Sequence, residues 1–100
     1  MIQIIWEFRV GEERAEFLRY YSSVGAWAIL FRKSPGYKQT ILLRDSQDEN
    51  RYITIDIWES LEFFSKFKKQ FSEEYETLDE ECEKFAKDER SIGVFQLIET

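Results

Sequence analysis

The sequence contains no histidine, and among its 100 residues it has only one cysteine, one proline and four glycines. Without histidine, neither a Ser-His-Asp nor a Cys-His catalytic arrangement can be built. A zinc site would lack imidazole ligands and have a single thiolate. The scattered glycines form no phosphate-binding loop. These absences exclude the common nucleophilic and metal-dependent sites, and we expect a protein that works without a metal or a cofactor.

Long apolar runs and excess positive charge are also missing. No apolar stretch approaches the roughly 20 residues that a membrane-spanning helix needs, and no N-terminal segment has the pattern of a signal peptide. Twenty acidic residues against 14 basic ones give a net charge of −6, which argues against binding to nucleic acid or to an anionic membrane. The single cysteine excludes an internal disulfide. We therefore expect a cytoplasmic protein.

Aromatic residues, in contrast, are abundant. Nine Phe, five Tyr and three Trp make up 17% of the chain, and 43% of all residues are hydrophobic. A chain of this length fits one domain, residues 1–100, that buries its own core. The rings could fill an ordinary core, or some could line a cavity or an interface.

Hydrophobic periodicity predicts four strands and two helical regions. Alternating patterns place strands at residues 2–10, 37–45, 52–58 and 91–99. Spacings of three and four predict a helix of about 20 residues after Gly11, in which Ser22, Ser23 and Gly25 are weak helix formers that could kink or break it. Ser60 is expected to cap the next helix, and Ser72 a further one.

The predicted order is therefore βαββαβ, with one extra helix. This order indicates an α+β, ferredoxin-like fold, in which helices cover one face of a four-stranded antiparallel sheet. The second face would be open and apolar, which invites a partner. We expect a homodimer that packs sheet to sheet.

The segment from Tyr52 to Ser60 carries the most information about a site. Its three isoleucines, Ile53, Ile55 and Ile57, fall on one strand face, which we expect to pack on the helices. The opposite face carries aromatic and polar side chains and would meet a second sheet or a ligand, together with aromatics of the first strand. A slip of one residue in register would exchange the two faces. The side chains on the opposite face of this strand are Tyr52, Thr54, Asp56 and Trp58.

Three pieces of the chain resemble the antibiotic biosynthesis monooxygenases, a family of dimeric α+β barrels. They are residues 7–11 (EFRVG), Trp27 with residues 35–37 (PGY), and residues 55–60 (IDIWES) followed by a helix that begins LEFF. The resemblance implies the fold and a dimer. Relatives include cofactor-independent oxygenases of polyketide-type aromatics and haem-degrading enzymes. The haem-degrading branch uses an Asn near the position of Trp6 or Phe8 and a His on the second helix, so no haem is expected here, although Trp58 matches that branch's Trp.

Asp56 and Trp58 are the candidate catalytic residues. Asp56 could be a base or orienting group for a substrate hydroxyl, an exposed side chain, or part of a structural ion pair with Arg9 or Arg44. Trp58 could stack on a flat ligand or anchor a core or a dimer interface. Cys82 is expected to be a buried, inert thiol. The candidate substrate-binding residues are Tyr37, Tyr52, Thr54, Trp6 and Phe8, the two tyrosines being either hydrogen-bond donors or rim residues.

Three functions fit these patterns. The first is a cofactor-independent oxygenase of a small aromatic or polyketide-like substrate, which would itself pass an electron to oxygen. The second is a non-catalytic small-molecule binder or stress-related dimer of the same fold. The third is a structural role in which dimerisation covers the aromatic face. Polarity at Thr54 and Asp56 favours the first two, because a dry interface would not place polar groups there.

Overall fold

Four strands and four helices make up the chain in a computed structural model, which describes residues 1–99. In chain order they are β1 (Ile2–Arg9), α1 (Arg14–Tyr21), α2 (Ala26–Phe31), β2 (Tyr37–Arg44), β3 (Arg51–Trp58), α3 (Leu61–Gln70), α4 (Ser72–Cys82) and β4 (Asp88–Gln96). No helix within residues 1–99 is long and apolar enough to cross a membrane.

The strands form one antiparallel sheet in the order β2-β3-β1-β4. This is the predicted α+β, ferredoxin-like arrangement. Two irregularities interrupt the ladders. The pairing of β2 with β3 shifts register between Tyr37 and Gln39. In β4, Ile92 has no partner in β1, because Gly93 pairs with Ile5 and Ser91 with Trp6. Beside the second irregularity, Gly93 has a φ of 143°, a conformation that L side chains rarely adopt.

The first helical region is divided, as its weak helix formers allow. It ends as α1 at Tyr21 and restarts as α2 after Gly25, whose backbone passes so close to the preceding turn that a Cβ would lie 2.5 Å from the carbonyl oxygen of Arg19. A larger residue would force these turns apart.

Of the two predicted helix caps, Ser60 and Ser72, only the first is confirmed. The Ser60 side chain accepts a hydrogen bond from the backbone N–H of Phe63 and caps α3, as predicted. Ser72 is not a cap: it is the first residue of α4, and the preceding residue, Phe71, occupies the cap position without a side-chain hydrogen bond. The last strand begins at Asp88, three residues earlier than predicted, because its charged first residues pair with the end of β1.

The core lies between the helices and one face of the sheet. Its largest fully buried side chains are Trp58, Phe17, Phe67 and Val10. Trp58 is wedged under rings from α2 and α3, with centroids 5.4 Å away at Phe31 and Phe67. Such tilted and edge-on aromatic contacts stabilise beyond simple area burial.

The two faces of β3 are the reverse of the predicted arrangement. The mixed face, with Trp58 and Asp56, packs against the helices, and the isoleucine face is the open one. Ile57 is buried by its neighbours in the sheet, and Ile53 and Ile55 are half-buried. The prediction was wrong because alternation separates the two faces of a strand but does not say which one meets the helices. The open face is mainly aliphatic, with Phe95 of β4, 48% exposed, as an aromatic member.

Candidate functional site

A cavity of about 240 Å³ lies between the mixed face of the sheet and the helices. All eight elements contribute to its wall. The lining side chains are Trp6, Phe8, Tyr21, Trp27, Phe31, Thr40, Thr54, Asp56, Lys68, Tyr75, Asp79 and Glu89.

The sheet forms the cavity floor, and Asp56 lies in it. The strand ladder sets Asp56 directly opposite Thr40. The Thr40 hydroxyl donates to Asp56 Oδ1 at 2.7 Å, and Tyr37 Oη lies 2.8 Å from Thr40 Oγ1. None of the ion pairs formed by residues 1–99 includes Asp56. The predicted partners are therefore wrong: Arg9 pairs with Asp48 instead, and Arg44 is exposed on the edge strand.

Burial changes the acidity of Asp56. Desolvation raises its pKa from 3.8 to about 6, and the hydrogen bond from Thr40 opposes that rise in part. The carboxyl group is thus mostly ionised at pH 7, yet its pKa is close enough to that pH for it to gain and lose a proton readily. That is the property of a general base working near physiological pH.

Aromatic rings form the walls. Trp27 meets Tyr75 edge-on with centroids 5.1 Å apart, and Trp6 lies beside Phe8 at 6.4 Å. The indole N–H of Trp27 is buried close to the Tyr21 hydroxyl and the Cys82 thiol.

Charged groups surround the mouth. Lys68, Asp79 and Glu89 are exposed and come from α3, α4 and β4. The Lys68 ammonium lies 4.9 Å from the ring centroid of Tyr75, a cation–π contact. The pKa of Glu89 is raised, first by desolvation and then by nearby acidic groups that include Asp79. The mouth is therefore polar, whereas the walls behind it are aromatic.

Four of the seven predicted site residues reach the cavity: Asp56, Thr54, Trp6 and Phe8. Tyr37, Tyr52 and Trp58 do not line it. Trp58 is fully covered by rings of the helices, so direct stacking on a ligand does not fit its position. Tyr52 is 2% exposed and packs against Phe17, with centroids 5.2 Å apart. Tyr37 acts on the cavity only through Thr40.

Cys82 is buried, as predicted, and burial raises the pKa of its thiol to about 11. At that pKa almost no thiolate is present at pH 7, so the thiol is a poor nucleophile. Among residues 1–99, no group of three or more Cys, Asp or Glu side chains is arranged to hold a metal ion.

Comparison with solved structures identifies the fold. No protein-family model matches the sequence, and no curated protein matches it significantly. A mutant of SnoaB, a cofactor-independent oxygenase from Streptomyces nogalater, superposes with a TM-score of 0.81 at 21% identity, over 99% of this chain and 94% of that one. The chain has the fold of the antibiotic biosynthesis monooxygenases. Two proteins assigned to that group share the fold. The one from Deinococcus radiodurans has a TM-score of 0.73 at 13% identity, over 100% of this chain and 95% of that one. The one from Bordetella bronchiseptica has a TM-score of 0.67 at 23% identity, over 97% of this chain and 96% of that one.

Several residues of this monooxygenase-fold cavity were not predicted. Thr40 could have been found by pairing the two strands across their short loop, since that places it opposite Asp56. Tyr21, Trp27, Phe31 and Tyr75 lie on helices, where apolar spacings of three and four are equally typical of core residues. The mouth residues carry no such signal, because exposed charged positions look alike in a sequence. They are Lys68, Asp79 and Glu89.

Proposed function

We propose that this protein is a cofactor-independent oxygenase of a small, electron-rich hydroxy-aromatic or polyketide-like substrate. The observation that carries the proposal is the Asp56 carboxylate, which lies on the floor of an aromatic cavity with a pKa of about 6 and no cationic partner in the described chain. The fold supports it, since SnoaB, a cofactor-independent oxygenase, shares the architecture.

The size of the cavity limits the substrate. Pockets for drug-sized ligands hold roughly 300–1,000 Å³, whereas an apolar cavity of about 150 Å³ is enough for benzene. At about 240 Å³, this cavity suits one or two fused rings. The aromatic walls favour a flat molecule.

Asp56 would start the reaction by taking the proton of a substrate hydroxyl. The resulting phenolate or enolate passes one electron to dioxygen, and the substrate radical and superoxide combine to form a carbon–oxygen bond at a ring C–H. Protonated Asp56 returns its proton to the peroxide, and loss of water leaves a carbonyl at that carbon. One dioxygen is consumed, and one water and one oxidised substrate are produced. The protein supplies the base and the orientation of the substrate.

Oxygen uptake with a panel of hydroxynaphthalenes and related enolisable bicyclic ketones tests the proposal. We expect uptake that matches substrate loss one to one, and a rate that rises with pH through about 6 as Asp56 ionises. Asp56→Asn should lower kcat by about 100-fold or more, the usual contribution of a general base. Asp79→Asn is the matched control: it removes a carboxylate from the mouth and should change kcat only a few-fold.

Ligand binding without turnover would point to the alternative, a non-catalytic binder. Trp6 and Trp27 line the cavity, so quenching of tryptophan fluorescence reports occupancy independently of chemistry. Saturable quenching by the panel, with no oxygen uptake by the wild-type protein, would refute the oxygenase proposal. Oxygen uptake that Asp56→Asn leaves unchanged would refute the role of Asp56.

We also propose that two copies pair through the open face of the sheet. Its centre is aliphatic, with Ile53 and Ile55 half-buried and Leu43 48% exposed. At one end, Glu7 is held by Arg51 and Arg90. The Glu7 carboxylate beside the isoleucines is therefore already paired, and a second copy could cover it without burying a lone charge.

Light scattering after gel filtration tests this pairing. We expect a mass near twice that of the 12.1 kDa chain. Leu43→Asp should shift the protein to the monomer, because it places a charge in the apolar centre. Ile29→Asp is the control, since Ile29 is 58% exposed on α2, away from the open face. A wild-type monomer, or equal effects of the two substitutions, would contradict the proposal.

A further inference from the structure

Tyr37 and Thr40 both project from β2 toward the helices although they lie three positions apart. In a regular strand, residues separated by an odd number point to opposite faces. The irregularity between Tyr37 and Gln39 leaves Lys38 without a partner in β3 and restores Tyr37 to the face of Thr40, opposite Trp58. Such bulges re-aim side chains beside active sites. Here the bulge brings a phenol hydroxyl within hydrogen-bond distance of Thr40.

The direction of the hydrogen bonds follows from the chemistry of Asp56. An ionised carboxylate can only accept, so the single Thr40 proton is committed to Asp56 Oδ1. Thr40 Oγ1 must then accept from Tyr37 Oη, which is the donor of that 2.8 Å pair. Burial raises the pKa of Tyr37, so the phenol keeps its proton. The three groups form one directed chain that ends on the carboxylate.

The same chain fits the protonated state of the carboxyl group. If Asp56 gains a proton, it can donate to Thr40, and Thr40 can donate to Tyr37, because both hydroxyls act as donors and acceptors. Only the hydroxyl hydrogens need to rotate, and no heavy atom has to move. A base that must alternate between two protonation states during a reaction can therefore be held in one place throughout.

We propose that Thr40 and Tyr37 are positioning residues for Asp56, which form a two-hydroxyl chain, assembled by the bulge at Lys38, that holds the carboxyl group on the cavity floor. The Thr40 contact is direct, and Thr40 is 4% exposed, so water does not readily replace it. Tyr37 acts one step away by fixing and polarising the Thr40 hydroxyl, as linked hydrogen bonds strengthen one another. The catalytic meaning of this chain rests on the proposed function, but its effect on Asp56 does not.

Carbon-13 NMR titration of the Asp56 side-chain carboxyl tests the chain without any substrate, with Asp56→Asn to assign the signal. Loss of a hydrogen bond to a charged group should raise the Asp56 pKa by about one unit or more in Thr40→Val, which keeps the shape but lacks the hydroxyl. Thr40→Ser should restore a value near that of the wild type. Tyr37→Phe should raise the pKa in the same direction by a smaller amount.

Lys38→Ala is the matched control, because it keeps the backbone bulge but removes an exposed side chain that pairs only with Glu59 among residues 1–99. It should leave the Asp56 pKa unchanged. An unchanged pKa in a folded Thr40→Val protein would overturn the proposal, and so would equal shifts in the Val and Ser variants. If Thr40→Val does not fold, the Ser and Phe variants decide the outcome, since Tyr37→Phe must still raise the pKa. Failure of the oxygenase proposal would appear separately, as no oxygen uptake by any variant, and would leave this titration valid.

Discussion

Replacing Asp56 with asparagine should make the protein more stable at neutral pH while it removes the proposed base. The native pKa of Asp56, about 6, lies above the value of 3.8 that it has when unperturbed. Between these two values the folded state binds more protons than the unfolded state, so this group makes the free energy of unfolding fall as pH rises. Asparagine keeps the shape and can still accept from Thr40, but it carries no charge to desolvate.

The size of the effect follows from the shift. A pKa difference of about two units corresponds to about 3 kcal/mol at neutral pH, at 1.4 kcal/mol per unit. The carboxyl group borders a cavity that can admit water, and an amide also has some cost of burial, so we expect a gain of about 1–2 kcal/mol at pH 7–8. At pH 4 the wild-type carboxyl group is already protonated in the folded state, and the two proteins should be nearly equal.

Urea unfolding at pH 4, 5, 6, 7 and 8 measures this gain, which should raise the midpoint by about 1 M at the upper end of that range. Asp48→Asn is a control of opposite sign. The pKa of Asp48 is lowered by the backbone N–H of Asn50 and then by Arg9, so its replacement should reduce stability at pH 7 and have less effect at low pH. A gain for Asp56→Asn that is the same at every pH, or a loss at pH 8, would refute the reasoning.

Three further substitutions test the packing around the site. Trp58→Phe should lower the free energy of unfolding by about 1–3 kcal/mol, because the smaller ring leaves space under α3. It should hardly change the ligand affinity measured by fluorescence. A large loss of affinity at unchanged stability would instead show that Trp58 contacts the ligand. Ser60→Ala should cost about 1 kcal/mol in urea unfolding by loss of the α3 cap, and Ser60→Asp should not. Gly36→Ala should destabilise by about 1–3 kcal/mol, since its Cβ would lie 2.3 Å from Phe63 Cγ; thermal unfolding equal to wild type would contradict this contact.

The order and type of the elements could be predicted from the sequence because each element carries its own local signal. Alternation marks the strands, spacings of three and four mark the helices, and Ser60 marks the start of α3 through a contact only three residues away. The boundary of β4 was less well predicted, since Asp88 and its charged neighbours are unusual strand residues that become ordered by pairing with β1. Hydrogen-bonded pairing with β1, rather than the local sequence, extends β4 to Asp88.

That Asp56 and Thr54 share one face of β3 could be predicted, but the side of the sheet on which that face lies could not. Alternation placed Asp56 and Thr54 on the mixed face, and both line the cavity. The partner of Asp56 depends on the register of β2 against β3, and the contribution of Tyr37 depends on a single unpaired residue, Lys38. The register could have been derived from the short loop, but the bulge has no periodic signature, because it shifts the face of one side chain while it leaves the composition of the strand unchanged.

The reversal of the two faces of β3 has a physical explanation that also bears on function. A face that only packs on helices would be expected to be uniformly apolar, and the isoleucines satisfy that rule better than Thr54 and Asp56 do. The helix-covered face is mixed because it has two tasks: Trp58 fills the core at one end, and Asp56 lines a cavity at the centre. The open face of β3 presents three isoleucines, with Arg51 at its end, and aliphatic surface is what a second sheet would cover. If the proposed pairing is correct, the more apolar face of β3 forms the dimer interface and the more polar face lines the proposed active site. Polar residues on a half-buried strand then indicate a cavity better than aromatic residues do.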